Sequence, residues 1–339
     1  MPRFLLTTDE NLEDVTAQEW REGAEAGEIC LRPYDVAGQL RVTADDARRL
    51  LKLRTVHHVI EIRHEDVADD LDGVRRVLAG VEFPELESNT SFRVSSDRVR
   101  AREFDRRQLQ GAAGGVLQQR YGTVVDLEGF EVNVRVNLHG RHLVAGIQLT
   151  RDSLGNRIRR TRSLRTSIKP TLAVAMLRLV GAHRGPGRLL DPMCGSGTIP
   201  IEARQLNPQL EVFASDWDEA TCEVARGTIA NHGLDIEVHT ADARQVGAIY
   251  GQPFDYIVTD PPYGVRQGRR TDLTQLYEGL LASFDQILAP GGKLALVVLK
   301  LHSLLRALRG SRLTVVHERL TEAGGLHPRI YVLERPATG

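Results

Sequence analysis

The sequence holds only three cysteines in 339 residues, Cys30, Cys194 and Cys222, and no Cys-x-x-Cys pair. That leaves no disulfide framework and no cysteine zinc site, so no metal is expected. No apolar run approaches the ~20 residues of a membrane-spanning helix. Hydrophobic residues nevertheless make up 41% of the chain, enough for cores of ordinary size. The opening Met1-Pro-Arg-Phe-Leu-Leu-Thr-Thr is too short and too polar for a signal peptide. A cytoplasmic protein without a membrane segment is the expectation. Lysine is almost missing as well. Four of the 44 basic residues are lysine, so arginine carries the positive charge throughout.

Acidic residues run short in one place. Residues 91–165 hold 15 basic and 7 acidic residues, a net of +8. Residues 1–90 hold 11 and 20, a net of −9, and residues 166–339 balance at 18 and 18. A general preference for arginine cannot produce that local lack of acid. The pattern predicts a local anionic partner rather than a generally adhesive surface. Residues 151–170 contain seven basic residues in twenty. They read as a solvated connector, or as one that also touches a phosphate backbone.

The first half alternates strands and helices in small α+β units. Strands are expected at 3–8, 38–43, 56–62, 91–95, 131–138 and 143–149. Helices are expected at 11–21, 44–53, 70–78 and 105–120. From Pro170 the pattern becomes strand–helix alternation, as in a doubly wound sheet. Strands are expected at 188–191, 211–216, 236–242, 254–260 and 293–300. Helices are expected at 171–180, 198–205, 219–231 and 273–288. Strands 312–320 and 329–334 would close the domain as a hairpin around Gly324-Gly325.

The stretch Leu189-Leu-Asp-Pro-Met-Cys-Gly-Ser-Gly-Thr198 organises that second half. Two leucines end a buried strand, Asp191 and Pro192 stop it, and Gly195 and Gly197 permit a tight turn and close ligand approach. A helix follows. Strand, glycine turn and helix form the ligand edge of an open α/β sheet. The loop lacks the Gly-Lys-Ser/Thr of a phosphate loop and the third glycine of the dinucleotide fingerprint. An acid at the strand end instead suits a ligand carrying positive charge, as S-adenosylmethionine does.

Asp191, Asp216 and Asp242 each end an expected strand and should meet at one sheet edge. Asp216 follows Asp191 by 25 residues, near the spacing of a ribose-binding acid. Trp217 could cover an adenine face, and Asp242 could accept from the adenine amino group. A single strand-end aspartate is more often a turn or cap residue; three beside a glycine loop indicate a site. The fourth strand runs into Thr259-Asp-Pro-Pro-Tyr-Gly264. The prolines hold the backbone rigidly. The Asp260 carboxylate and Pro261 carbonyl then offer two acceptors beside the flat Tyr263 ring, which matches an exocyclic amino group on a base.

On these residues, 166–339 resemble the class I S-adenosylmethionine-dependent methyltransferases of the Asp-Pro-Pro-Tyr type. The resemblance implies an α/β, Rossmann-like domain with a mostly parallel seven-stranded sheet. It also implies a cofactor site of Asp191, Pro192, Cys194, Gly195, Ser196, Gly197 and Thr198 on the methionine part, with Asp216 and Trp217 after the second strand. Asp242 and Ala243 would take the adenine, and Asp260 would border the cofactor. The catalytic residues implied are Asp260, Pro261, Pro262 and Tyr263. The motif alone leaves DNA adenine, protein glutamine and RNA guanine open as acceptors.

Residues 1–165 bear on that choice. Ser91-Phe-Arg-Val, the 105–120 helix, Tyr121-Gly-Thr-Val-Val-Asp-Leu and the hairpin ending Gly146-Ile-Gln-Leu-Thr-Arg-Asp-Ser-Leu resemble a THUMP domain behind a ferredoxin-like one. The whole chain is then similar to the THUMP-containing tRNA guanine-N2-methyltransferases. The resemblance implies a 1–60 ferredoxin-like domain, a 61–152 THUMP domain, a 153–170 basic linker and a 171–339 methyltransferase domain. It implies tRNA as partner, held at its acceptor stem and 3′ end by the THUMP domain, and a monomer. The glycine loop and the ending Gly324-Gly-Leu-His-Pro-Arg-Ile-Tyr-Val-Leu resemble the guanine-6 enzymes. Asp260 is more usual in the guanine-10 enzymes. A ribosomal-RNA guanine-N2-methyltransferase and an inactive tRNA-binding protein would share part of this pattern.

Overall fold

Strand β1 (Arg3–Thr8) does not alternate between core and solvent: Phe4, Leu5 and Leu6 are all buried. It lies inside a sheet covered on both faces. Phe4 and Leu6 face Trp20 and Leu50, while Leu5 packs with Ile60, Ile62 and Val144. The structure, a computed structural model, describes residues 1–23, 27–97, 104–162, 167–262, 272–322 and 325–337. It divides into units 1–154 and 155–339.

The first unit continues with α1 (Glu13–Gly23), β2 (Ile29–Leu31), β3 (Gln39–Thr43), α2 (Ala47–Leu50) and β4 (Val56–Val67). The antiparallel order β2-β3-β1-β4 is the arrangement of a ferredoxin-like βαββαβ unit. Then come α3 (Leu71–Gly80), β5 (Ser91–Ser95), α4 (Arg106–Tyr121), β6 (Val124–Val125), β7 (Val132–His139) and β8 (His142–Gln148). These add β8-β7-β5-β6 to β4 in one eight-stranded sheet. Asp105 and Gln108 form a capping box on α4, and Gly122 closes it at φ 65°.

The unit departs from the sequence pattern in several places, and β4 itself runs to Val67 rather than ending at Ile62. The domain boundary expected between 60 and 61 falls inside β4. Strands β2 and β6 have no counterpart in the pattern, because two or three residues carry no readable period. Helix α2 is four residues rather than ten, since Asp46 caps it late and the chain turns out after Leu50.

In the second unit, α5 (Pro170–Val180) precedes β9 (Gly187–Asp191), α6 (Thr198–Leu206), β10 (Leu210–Asp216), α7 (Glu219–Asn231), β11 (Glu237–Thr240) and β12 (Phe254–Thr259). Then follow α8 (Leu273–Ile287), β13 (Leu288–Val298), α9 (Leu301–Leu308), β14 (Thr314–Leu320) and β15 (Arg329–Glu334). The sheet order is β11-β10-β9-β12-β13-β15-β14. The first five are parallel; β15 enters antiparallel between β13 and β14. Strand β13 begins at Leu288 rather than Lys293, and α9 has no counterpart in the sequence pattern. In the closing hairpin Gly325 has φ 80°, and Gly324 lies outside the described residues. Among the described residues no helix is long and apolar enough to cross a membrane.

The stretch expected as a linker is partly built into this unit. Arg157 makes a paired ion contact with Glu202 on α6. Thr161 donates to the Val224 carbonyl of α7, and the Asn231 amide group donates to the Arg159 carbonyl. Ile158 is buried. The charge pattern indicates a basic connector but not that one of its arginines meets a buried acid.

Candidate active site

The order β11-β10-β9-β12 reverses direction at β9, and ligands of such sheets bind outside the carboxyl ends at that point. Four acids gather there, each from a neighbouring strand. Asp191 ends β9, Asp216 ends β10, Asp242 stands two residues past β11, and Asp260 follows β12. The parallel register sets Ala214 opposite Asp191 and Asp216 opposite Thr240, so the strand ends are level.

Asp191 is fully buried. Its Oδ1 accepts from the Met193 amide at 3.2 Å. Its Oδ2 has no hydrogen-bond partner among the described residues. Burial pushes its pKa well above the ordinary carboxylate range, the Met193 amide and Thr259 hydroxyl oppose this, and the charges of Asp216 and Asp260 add to it. Asp216 is raised too, chiefly by burial. Its Oδ2 accepts from the Gly195 amide at 3.1 Å and its Oδ1 from the Asp218 amide at 3.3 Å, so it also shapes the glycine loop.

That loop folds as a tight turn. The Gly197 amide donates to the Cys194 carbonyl at 2.8 Å, and the Cys194 amide donates to Ser215 on β10 at 2.9 Å. Gly195 and Gly197 have φ 53° and 84°, where a side chain is strained. A Cβ on Gly197 would press on Ile229 at 3.4 Å, whereas a Cβ on Gly195 would meet nothing within 4 Å. Pro192, Cys194, Ser196 and Thr198 are buried around the turn. The open face at Gly195 and the unpartnered oxygen of Asp191 fit a cationic ligand lying close against backbone, as S-adenosylmethionine would.

The remaining expected residues divide. Trp217 is 74% exposed, a free aromatic face next to Asp216. Asp242 caps the turn after it and is paired with Arg244, which holds its carboxyl below the usual range. Its neighbour Ala243 is buried. Asp260 and Pro262 are half-buried and Pro261 is buried; Tyr263 lies outside the described residues. Three neighbours have no signal in the sequence. Thr259 is fully buried beside Asp191. Tyr277 of α8 is fully buried within the influence of Asp260, and its hydroxyl has no partner among the described residues. Arg160 donates to the Ser196 and Thr198 hydroxyls. Among the described residues no group of three or more His, Cys, Asp or Glu is arranged to hold a metal ion.

In the first unit, several residues of the basic segment are committed internally. Arg135 is nearly buried and paired with Asp97, and Arg120 donates to the Ala79 and Val81 carbonyls. Arg93 and Arg151 both pack over the Phe130 ring. Arg106 and Arg107, at the start of α4, are exposed.

Comparison with known proteins agrees with this architecture. The RMKL-like methyltransferase domain family matches residues 157–329, and the THUMP domain family matches 69–147. A tRNA (guanine(6)-N2)-methyltransferase of Thermus thermophilus is 36% identical, over 97% of this chain and 98% of its own. A tRNA (guanine(10)-N2)-dimethyltransferase of Methanothermobacter thermautotrophicus is 29% identical over 72% of each. The crystal structure of TrmN from Thermus thermophilus superposes with a TM-score of 0.86 at 33% identity, covering 99% of this chain and 100% of that one. A ferredoxin-like start, a THUMP match and a methyltransferase sheet thus stand in one chain, 36% identical over 97% of its length to a tRNA-modifying enzyme. The chain belongs to the S-adenosylmethionine-dependent, THUMP-containing tRNA guanine-N2-methyltransferases.

Proposed function

We propose that this chain methylates the exocyclic N2 of guanine 6 in the acceptor stem of tRNA. The observation that carries the position is the reach of the likeness: 36% identity to a guanine-6 enzyme runs through 97% of the chain, both units included. The guanine-10 relative is matched over 72%. Asp260 is the residue that favours guanine 10. The first unit is proposed to hold the acceptor stem and 3′ end of tRNA, with the exposed Arg106 and Arg107 among its phosphate contacts.

A guanine amino group is a poor nucleophile because its lone pair is delocalised into the ring. The cofactor, when bound, supplies a methyl group on a sulfonium leaving group. In our reading the Asp260 carboxylate and Pro261 carbonyl accept from the two amino protons, favour a more tetrahedral nitrogen and fix its direction. The carboxylate takes the proton released as the nitrogen is methylated. Positioning of this kind accounts for several kcal/mol of barrier lowering. The base must leave its stack to be reached, at a cost of a few kcal/mol. Tyr263 is assigned the stacking that offsets part of this.

The cofactor roles follow the same assignment. Asp191, with Pro192, Cys194, Gly195, Ser196, Gly197 and Thr198, takes the methionine part; Asp216 and Trp217 take ribose and adenine, with Asp242 and Ala243 at the adenine edge. A cationic cofactor favours the ionised form of Asp191, whose pKa stands above the ordinary range in the free protein. Binding should therefore release protons at pH values around and below that raised pKa, and tighten as pH rises through it. Calorimetry in buffers of different ionisation enthalpy reads this directly; proton uptake on binding would contradict it.

The position is tested by mass spectrometry of tRNA from a strain lacking the gene. Loss of N2-methylguanosine at position 6, with position 10 intact, is expected. The reverse result would move the assignment to guanine 10 and leave the chemistry unchanged.

A further inference from the structure

The segment 155–162 carries two arginines against the same helix, and they are neutralised differently. Arg157 meets the buried Glu202. Arg160, three residues later, meets no carboxylate among the described residues. It donates from Nε to the Ser196 hydroxyl at 3.2 Å, and from Nη2 to the Thr198 hydroxyl at 3.1 Å and the Ile168 carbonyl at 3.4 Å. It is half-buried, and burial lowers its pKa. Ser196 and Thr198 belong to the glycine loop and the first residue of α6. That helix has no side-chain cap. The Thr198 and Ile199 amides have no intrahelical acceptor, and Pro200 has no amide to offer. A cation here stands at the positive end of the helix, which is unfavourable unless an anion joins it.

The same turn holds an acceptor of opposite need. Asp191, at its other end, is fully buried with one oxygen unpartnered among the described residues. A donor-rich pole and a lone carboxylate oxygen on one turn complement a zwitterion, the α-amino acid end of the cofactor. An RNA phosphate would satisfy Arg160 but leave Asp191 unmatched.

We infer that Arg160 completes the cofactor site, receiving the carboxylate of the methionine part of S-adenosylmethionine together with the α6 amides, while Asp191 receives its ammonium. This rests on the cofactor reading above and goes beyond it. The segment expected to be a connector, solvated or touching a phosphate backbone, thereby supplies a specificity residue for the small molecule.

The test is calorimetric, needs no RNA, and compares S-adenosylmethionine with decarboxylated S-adenosylmethionine, which keeps the sulfonium and ammonium. The wild type should prefer the carboxylate-bearing compound. Arg160→Ala should weaken S-adenosylmethionine at least tenfold, about 1.4 kcal/mol, and change the decarboxylated compound by less than about threefold. Arg160→Lys should recover part of the loss, and thermal melting confirms that each variant is folded. If Arg160→Ala weakens both compounds alike, Arg160 only supports the loop and the inference falls; it falls equally if neither weakens. A folded wild type that binds neither compound would remove the cofactor reading itself, and the inference with it.

Discussion

Replacing Asp260 by alanine should lower the methyl-transfer rate by roughly 10²–10³-fold, the usual loss when one preorganised polar partner of a reacting group is removed. The affinity for S-adenosylmethionine should change little by comparison. Asp260 follows β12, half-buried beside the buried Pro261, and its charge reaches both Asp191 and Tyr277. Single-turnover rates with saturating tRNA separate the chemical step from product release. Activity within about tenfold of wild type, ~1.4 kcal/mol on the barrier, would show that the carboxylate is not a main contributor. Asp260→Asn keeps one acceptor oxygen and should fall between the two.

Arg157→Ala should destabilise the second unit by about 3–5 kcal/mol, because it leaves the charge of Glu202 buried without this partner. Glu202 is fully buried, and the contact is bidentate, at 2.8 and 3.0 Å. For a domain of this size each kcal/mol lowers the melting temperature by about 2–4 °C. Arg157→Met combined with Glu202→Gln should recover much of the loss, since the charge is then removed with its partner. A single variant that melts within about 2 °C of wild type would assign the pair no structural weight.

Much of this molecule is legible in its sequence. Strands β9, β10 and β12 and helix α7 lie within a residue or two of where apolar runs and caps place them. The reason is local: Asp218 caps α7 through the Thr221 amide, and Gly197 bends the chain into α6. The meeting of Asp191, Asp216, Asp242 and Asp260 is legible because parallel strands share one carboxyl edge. The opposite directions in which their pKa values are shifted are not. Asp242 is held low by Arg244, two residues on, whereas Asp191 is raised by burial among residues far away in sequence. Tyr277 and Arg160 are invisible for the same reason, since their significance comes from tertiary neighbours. The net charge of 91–165 also overstates the basic surface, because Arg135 and Arg120 are turned to internal partners.

Strand β4 has a consequence for how the first unit opens. Ile60 and Glu61 pair with Leu5 and Phe4 of β1 on one side, and with Gln148 and Ile147 of β8 on the other. The ferredoxin-like and THUMP halves therefore own this strand jointly. Neither half can fray away without exposing the flank of the other, so the two should exchange their amide protons as one cooperative block. A graft of the THUMP half onto another enzyme would have to carry β4 with it, and β4 brings the requirement for a β1-like neighbour.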